Sequence, residues 1–236
     1  MKAYGICEKG NVRKVNQDDI LIRLKDKTGL FIVADGVGGS VDGAVASKLI
    51  TETYEKWWDE VVESKDGKDF GELFDEIKRL VEDVNEKLCT EHGEGNCCST
   101  IALLFLHGDA YGIISAGDSR IYSCAGGKVK MLTRDDVWEN LPDNGDESAH
   151  NGKILSAVGG FEYLEYSCST NRRRHSEAFM LCSDGIYKFA DEKVMEKQLK
   201  KFKNSLFFKI DMPDAIVRSA LDNKTNDNYS LIMVKQ

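Results

Sequence analysis

The sequence predicts an α+β fold in which two antiparallel sheets pack face to face and a helix pair covers each outer face, a four-layer α-β-β-α sandwich. Three observations predict it. Strand-like segments occur on both sides of two amphipathic helical segments. Turn residues separate most neighbouring strands, which is typical of hairpins and therefore of antiparallel pairing. The regular βα alternation of a doubly wound parallel sheet is missing.

The first part of the chain predicts three strands and then two helices. YGICE, DILIRL and GLFIVAD are short, rich in apolar or β-branched residues, and separated by the polar turns EKGN and KDKTG. Apolar residues then recur at i, i+3 and i+4 over 46–62 and again over 70–88. This spacing predicts that Trp57 and Trp58 belong to the core rather than to a binding face.

The second half predicts strands, a long loop, and a second helix pair. STIALLFL, AYGIISAG, RIYSCAG and KVKML are strand-like, and FEYLEYSCS and AFMLCSD follow the polar stretch 133–153. That stretch has no periodicity, and a loop of its length is either functional or disordered. Helices are expected at about 191–203 and 213–222, before a last strand, YSLIMV.

Composition and charge exclude several classes of function. The net charge is −8, and RRRH at 172–175 is the only cationic cluster, so a nucleic-acid role is not expected. No apolar run approaches the ~18 residues that a membrane span needs. The start of the chain lacks the apolar segment of a signal peptide, so we expect a cytoplasmic protein. No Ser/Gly/Pro linker is present, which predicts one domain over 1–236.

The seven cysteines indicate buried, reduced thiols. No CxxC pair and no Cys/His cluster with zinc spacing occurs. Cys182 lies close to Asp184 in the sequence, but strand alternation turns its side chain to the opposite face. Core packing is therefore expected for Cys182 rather than catalysis.

Four aspartates end apolar, strand-like runs: Asp35, Asp118, Asp184 and Asp227. An ionised carboxylate at such a place needs hydrogen-bond partners or a cation. One such aspartate is a turn residue, whereas four suggest carboxylates that converge at one sheet edge to hold a cation. The candidate ligands, including the Gly36 carbonyl, are all oxygens, which suits Mg²⁺ or Mn²⁺.

A two-ion centre would explain the absence of a nucleophilic side-chain motif. Two divalent ions about 3.5–4 Å apart clamp an in-line displacement at phosphorus and activate a shared water. The sequence contains no GxSxG motif, and ADGVGGSVDG fails both the GxGxxG and the Walker A spacing. Arg13 can bind phosphate in bidentate fashion, although RxxNQD taken alone also fits a solvated turn.

Eight short motifs occur along the chain: RKVNQD (13–18), VADGVGG (33–39), GNCCSTIA (95–102), SAGDSR (115–120), LTRDD (132–136), ILSAVG (154–159), LCSDG (181–185) and DNYS (227–230). In this order and at this spacing, they resemble the metal-dependent Ser/Thr protein phosphatases, the PPM or type 2C family, in the compact bacterial form.

The resemblance implies a protein-serine/threonine phosphatase that uses Mn²⁺ or Mg²⁺. A metal-bridging hydroxide would attack phosphorus in line, with no phosphoenzyme. Asp35 would bridge two ions, the Gly36 carbonyl would bind one of them, and Asp184 and Asp227 would complete the two sites. The substrates implied are phosphorylated proteins, and a Ser/Thr kinase is a partner by analogy.

The resemblance also implies roles around this core. Asp18 would act mainly through metal-bound water, and Asp118 together with Asp184 would hold a weaker third ion. Arg13 would bind the substrate phosphate. The segment near 134–152 would be a mobile flap beside the active site.

The chain departs from the family pattern at five positions, none of which is an implied metal ligand: Val37, Ser40, Asp136, Val137 and Ala157. Two alternatives stay open at this point. A pseudophosphatase would hold phosphoproteins without hydrolysing them, and the aspartates could be turn residues of an acidic β-sandwich.

Overall fold

The computed structural model describes residues 1–37, 42–64, 67–137, 154–174, 176–205 and 211–235. Most of the expected flap at 134–152 lies outside the described residues, and so does Ser40. Among the helices of the described ranges, none has both the length and the apolar character to cross a membrane.

The described strands form two five-stranded sheets, antiparallel throughout. The strand order is β1-β10-β9-β6-β7 in the first sheet and β2-β3-β4-β5-β8 in the second. In chain order, β1 to β10 are Lys2–Glu8, Asp18–Lys25, Thr28–Asp35, Ile101–His107, Ala110–Ala116, Arg120–Ala125, Lys128–Met131, Ser167–Arg172, Ala178–Cys182 and Tyr229–Lys235.

The helices confirm both predicted pairs and add a short one. In chain order, α1 to α5 are Gly43–Trp57, Phe70–His92, Asp184–Tyr187, Glu192–Asn204 and Asp211–Asp222. A π-helical turn, Trp58–Val62, extends α1. A capping box starts α2, in which Asp69 accepts from the Glu72 amide and Glu72 accepts from the Asp69 amide. These residues satisfy two of the amides that a helix start leaves unpaired.

Three separate hydrophobic clusters lie between four layers, which confirms the predicted α-β-β-α architecture. Helices α1 and α2 cover the second sheet, where Tyr54 and Phe105 are fully buried. Helices α4 and α5 cover the first sheet around Phe202. Between the sheets, Phe31 of β3 and Phe179 of β9 belong to one buried cluster. Trp57 and Trp58 are buried in the first of these clusters, as the spacing predicted.

The strand predicted over FEYLEYSCS (161–169) is wrong over its first six residues. Strand β8 begins only at Ser167, and 161–166 follows an irregular path. Strand β8 pairs with β5, which ends at Ala116, one residue beyond the Ser115–Ser167 pair. The Asn85 amide donates to the carbonyls of Phe161 and Glu162 at 3.0 and 3.1 Å, so a side chain from α2 is the hydrogen-bond partner of the first two carbonyls of this segment.

Close packing of α2 on the second sheet makes Gly112 sensitive to substitution. A Cβ at Gly112 of β5 would clash with the ring of Phe74, which stacks 6.5 Å from Phe105. We expect Gly112→Ala to lower the free energy of unfolding by about 1–3 kcal/mol, measured by urea denaturation. Gly5→Ala is the matched control, because its Cβ meets mainly flexible isoleucine ends such as that of Ile22. Equal losses in both variants would contradict the packing argument.

Candidate metal centre

Asp18 joins the two sheets at the end where the predicted site residues lie. It begins β2 and faces Asp35, the last residue of β3, across the antiparallel ladder. Oδ2 of Asp18 accepts hydrogen bonds from Ser183 and Ser230 of the first sheet's end, at 2.8 and 2.7 Å. Burial raises the pKa of Asp18 to about 6, although both hydroxyls favour the charged form.

The other oxygen of Asp18 has no partner among the described residues. Oδ1 is buried and accepts no hydrogen bond there. A buried carboxylate oxygen without a donor is unfavourable by about 1–3 kcal/mol or more. A cation, a water held by one, or the proton of a neutral Asp35 carboxyl would satisfy this oxygen.

Asp35 lies beside Asp18 and is held by the neighbouring strand. The Asp35 amide donates to Thr100 Oγ1 at 3.1 Å, and the Thr100 amide donates back to the Asp35 carbonyl at 2.8 Å. Burial and then the charges of Asp18, Asp184 and Asp118 raise the pKa of Asp35 well above its usual range. These carboxylates are therefore close enough to repel one another when ionised.

Gly36 lets three backbone segments meet at the end of β3. Its amide donates to the Gln17 carbonyl at 3.0 Å. A Cβ here would lie 2.5 Å from the Gly43 carbonyl oxygen and 2.8 Å from the Gln17 oxygen, so any larger residue would push the backbone apart. The start of β2, the end of β3 and the start of α1 are thus fixed against one another.

Asp118 and Asp184 form a second carboxylate pair, joined by a lysine. Asp118 lies in the turn between β5 and β6, and Asp184 begins α3. Lys188 Nζ lies 3.2 Å from Asp118 Oδ2 and 2.9 Å from Asp184 Oδ2. Burial, with Asp118 and Asp227, raises the pKa of Asp184, and the Lys188 charge opposes this shift.

Arg13 and Asp227 form an ion pair at the margin of the cluster. Arg13 Nη2 donates to Asp227 Oδ2 at 2.7 Å, and 45% of the arginine side chain is exposed. Asn228 fixes the loop that carries Arg13. It accepts from the Gln17 amide at 2.9 Å and donates to the carbonyls of Lys9 and Val15 at 2.8 and 3.0 Å.

The chemistry of this donor set fits a divalent cation at Asp18 and Asp35. The donors are carboxylate oxygens, which hard cations prefer, and the buried Oδ1 of Asp18 accepts no N–H or hydroxyl hydrogen bond from the described residues. The carboxyl groups of Asp18 and Asp35 lie close enough to share a proton. In the described part of the chain, no three His, Cys, Asp or Glu side chains are assembled closely enough to hold an ion. Instead, Arg13 and Lys188 pair with the outer carboxylates.

Sequence reasoning identified the acidic positions but missed their polar supports. The structure places Arg13 against Asp227, Asp18 opposite Asp35, and Asp118 and Asp184 on either side of Lys188. Gly36 follows Asp35, and the charges of Asp118 and Asp184 reach Asp35. Ser183, Asn228 and Ser230 lie inside the quoted motifs and could have been found there. Tyr187 and Lys188 lie just beyond a motif and carry no signal in the sequence alone.

Comparison with known proteins finds phosphatases. A family model described as protein phosphatase 2C matches residues 11–213. The chain is 28% identical over 203 residues to serine/threonine protein phosphatase PstP of Mycobacterium tuberculosis, over 80% of this chain and 37% of that protein. It is 25% identical over 249 residues to serine/threonine phosphatase stp of Listeria innocua, over 100% of this chain and 96% of that protein. The fold is similar to PppA, "a key regulatory component of T6SS in Pseudomonas aeruginosa", with 26% identity, a TM-score of 0.78, and coverage of 100% and 97%.

The buried charge of Asp18 predicts that the free energy of unfolding of the metal-free protein depends on pH. A carboxyl with a pKa of about 6 when folded and 3.8 when unfolded destabilises the fold by up to about 3 kcal/mol above pH 6. As the pH falls from about 6 towards 4, the folded protein binds the proton and this cost disappears. We therefore expect Asp18→Asn in EDTA to exceed the wild type in stability at pH 7.5, and the difference to shrink on acidification.

Urea denaturation at several pH values measures this difference. Asp59→Asn is the control, because Asp59 is exposed on the π-helical turn and its replacement leaves the stability unchanged. An Asp18→Asn variant that is less stable than the wild type at pH 7.5 in EDTA would contradict the argument that the buried charge of Asp18 destabilises the metal-free protein.

Proposed function

This chain belongs to the protein phosphatase 2C family, and from that premise we propose that it is a metal-dependent phosphatase of phosphoserine and phosphothreonine in proteins. Its relatives are serine/threonine protein phosphatases, which confirms the predicted family and enzyme class. The observation that carries the proposal is the unpartnered, buried oxygen of Asp18 inside a cluster of mutually repelling aspartates.

Asp35, the Gly36 carbonyl, Asp184 and Asp227 would hold two divalent ions, and Asp18 would act through water. When bound, Mn²⁺ or Mg²⁺ would supply the activated water for in-line attack and the charge that stabilises the transition state. The crowding of the carboxylates supports this assignment. Two of them about 4 Å apart repel by roughly 4 kcal/mol at an effective dielectric constant of 20, and a cation relieves that cost.

Arg13 is assigned to the substrate phosphate. Its ion pair with Asp227 uses Nη2, and nearly half of the side chain is exposed at the margin of the cluster. A guanidinium in this position can bind a phosphate while it keeps one carboxylate contact, because its donors form a planar fork. The Asn228 hydrogen bonds hold the loop and so orient Arg13 toward the same site.

The remaining assignments follow from the family. The chain would act as one catalytic domain over 1–236, with 134–152 as a flap beside the site. Its substrates would be phosphorylated proteins, and a Ser/Thr kinase would supply them. A cytoplasmic location remains a prediction from the sequence.

Metal dependence is the first test of the proposal. We expect hydrolysis of a phosphothreonine peptide in Mn²⁺, no hydrolysis in excess EDTA, and a loss of at least about 100-fold in kcat for Asp184→Asn, because a carboxylate of the ion site is lost. Asp59→Asn serves as the surface control. Activity that survives both EDTA and Asp184→Asn would rule out the mechanism.

Arg13 is tested by separating binding from turnover. We expect Arg13→Ala to raise KM for the phosphopeptide about 10-fold or more, since the bidentate phosphate contact is lost. Arg13→Lys retains the charge but not the fork, and we expect an intermediate KM. If Arg13→Ala leaves KM unchanged, another group binds the phosphate.

A further inference from the structure

The lysine between Asp118 and Asp184 occupies the position that the family resemblance assigns to a third ion. Lys188 Nζ contacts one oxygen of each carboxylate, at 3.2 and 2.9 Å. Asp118 is almost fully buried, with 4% of its side chain exposed, whereas 43% of the Lys188 side chain is exposed. The ammonium group therefore lies on the more open side of the buried carboxylate.

The local fold places this ammonium group. Asp184 begins α3, and Lys188 follows four residues later at its C-terminal end, so the two side chains lie on one face of the turn. β-strand pairing brings Asp118 to the same place from a position 70 residues earlier in the chain. The contact depends on both the short helix and the turn between β5 and β6.

Tyr187 supports the same arrangement from the neighbouring position. Its hydroxyl donates to Asp118 Oδ2 at 2.9 Å, the oxygen that also accepts from Lys188. The Arg120 guanidinium lies 3.5 Å from the centre of the Tyr187 ring, and Arg120 pairs with Asp135 at 2.7 Å. Asp118 Oδ2 is thus engaged by two donors that are themselves held in place.

We propose that Lys188 replaces the third divalent ion, so that the site holds two exchangeable ions and one built-in cation. An ion between Asp118 and Asp184 would compete with Lys188 and Tyr187 for Oδ2 of Asp118 and with Lys188 for Oδ2 of Asp184, and the ammonium charge repels it. This inference rests on the proposed function, because it presupposes the two-ion core. It differs from the expectation for Asp118 that the motifs alone gave.

Counting bound ions tests the proposal. Calorimetric titration of the metal-free protein with Mn²⁺ is expected to give two sites in the wild type, and still two in Asp118→Asn. Lys188→Ala is expected to gain a third site, with a Kd at least ten-fold tighter than any third site of the wild type. The double variant Lys188→Ala/Asp118→Asn is expected to lose that gained site.

Two further Lys188 variants test whether the positive charge sets the number of bound ions. Lys188→Arg keeps the positive charge and is expected to retain two sites, and Lys188→Gln replaces Lys188→Ala if the latter does not fold. Three sites in the wild type, one of them lost in Asp118→Asn, would overturn the proposal while leaving the proposed function intact. No gained site in folded Lys188→Ala, or in Lys188→Gln where that variant replaces it, would overturn the proposal as well. Failure of the wild type to bind any Mn²⁺ would overturn the proposed function and, with it, this inference.

Discussion

Repulsion among partly buried carboxylates is the constraint on which the rest of this structure depends. Asp18 and Asp35 face each other across neighbouring strands, and Asp184 and Asp118 add their charges nearby. Such a group is unfavourable without positive charge, because burial removes the water that would screen it. The surrounding residues supply hydrogen-bond donors and cations for most of these oxygens, and leave one oxygen of Asp18 for a ligand.

The sandwich makes this arrangement possible because carboxylates of both sheets come together at one end. Asp18 and Asp35 belong to the second sheet, and Ser183 and Ser230, which donate to Asp18, belong to the end of the first. The three hydrophobic clusters hold the sheets and helices packed against one another. Because this packing stabilises the fold, the sandwich tolerates an unfavourable cluster of charges at one end.

Two cationic side chains neutralise the outer carboxylates of the cluster. Arg13 neutralises Asp227 on one side, and Lys188 neutralises Asp118 and Asp184 on the other. Lys188 lies at the end of the one-turn helix α3, outside both sheets. In our proposal, the number of exchangeable ions is therefore set locally, by a residue outside the quoted motifs.

The sequence by itself determined the fold class, the helix pairs and most strands, because periodicity reports which face of each element is buried. It also identified the aspartates, since charge at the end of an apolar strand is unusual. Only the tertiary structure decided where β8 begins, because its partner β5 ends there, and Asn85 binds the carbonyls of Phe161 and Glu162 further upstream. It alone also revealed the bridge from Lys188 to Asp118. Both contacts join residues 70 or more positions apart, so their energy depends on distances that no local pattern encodes.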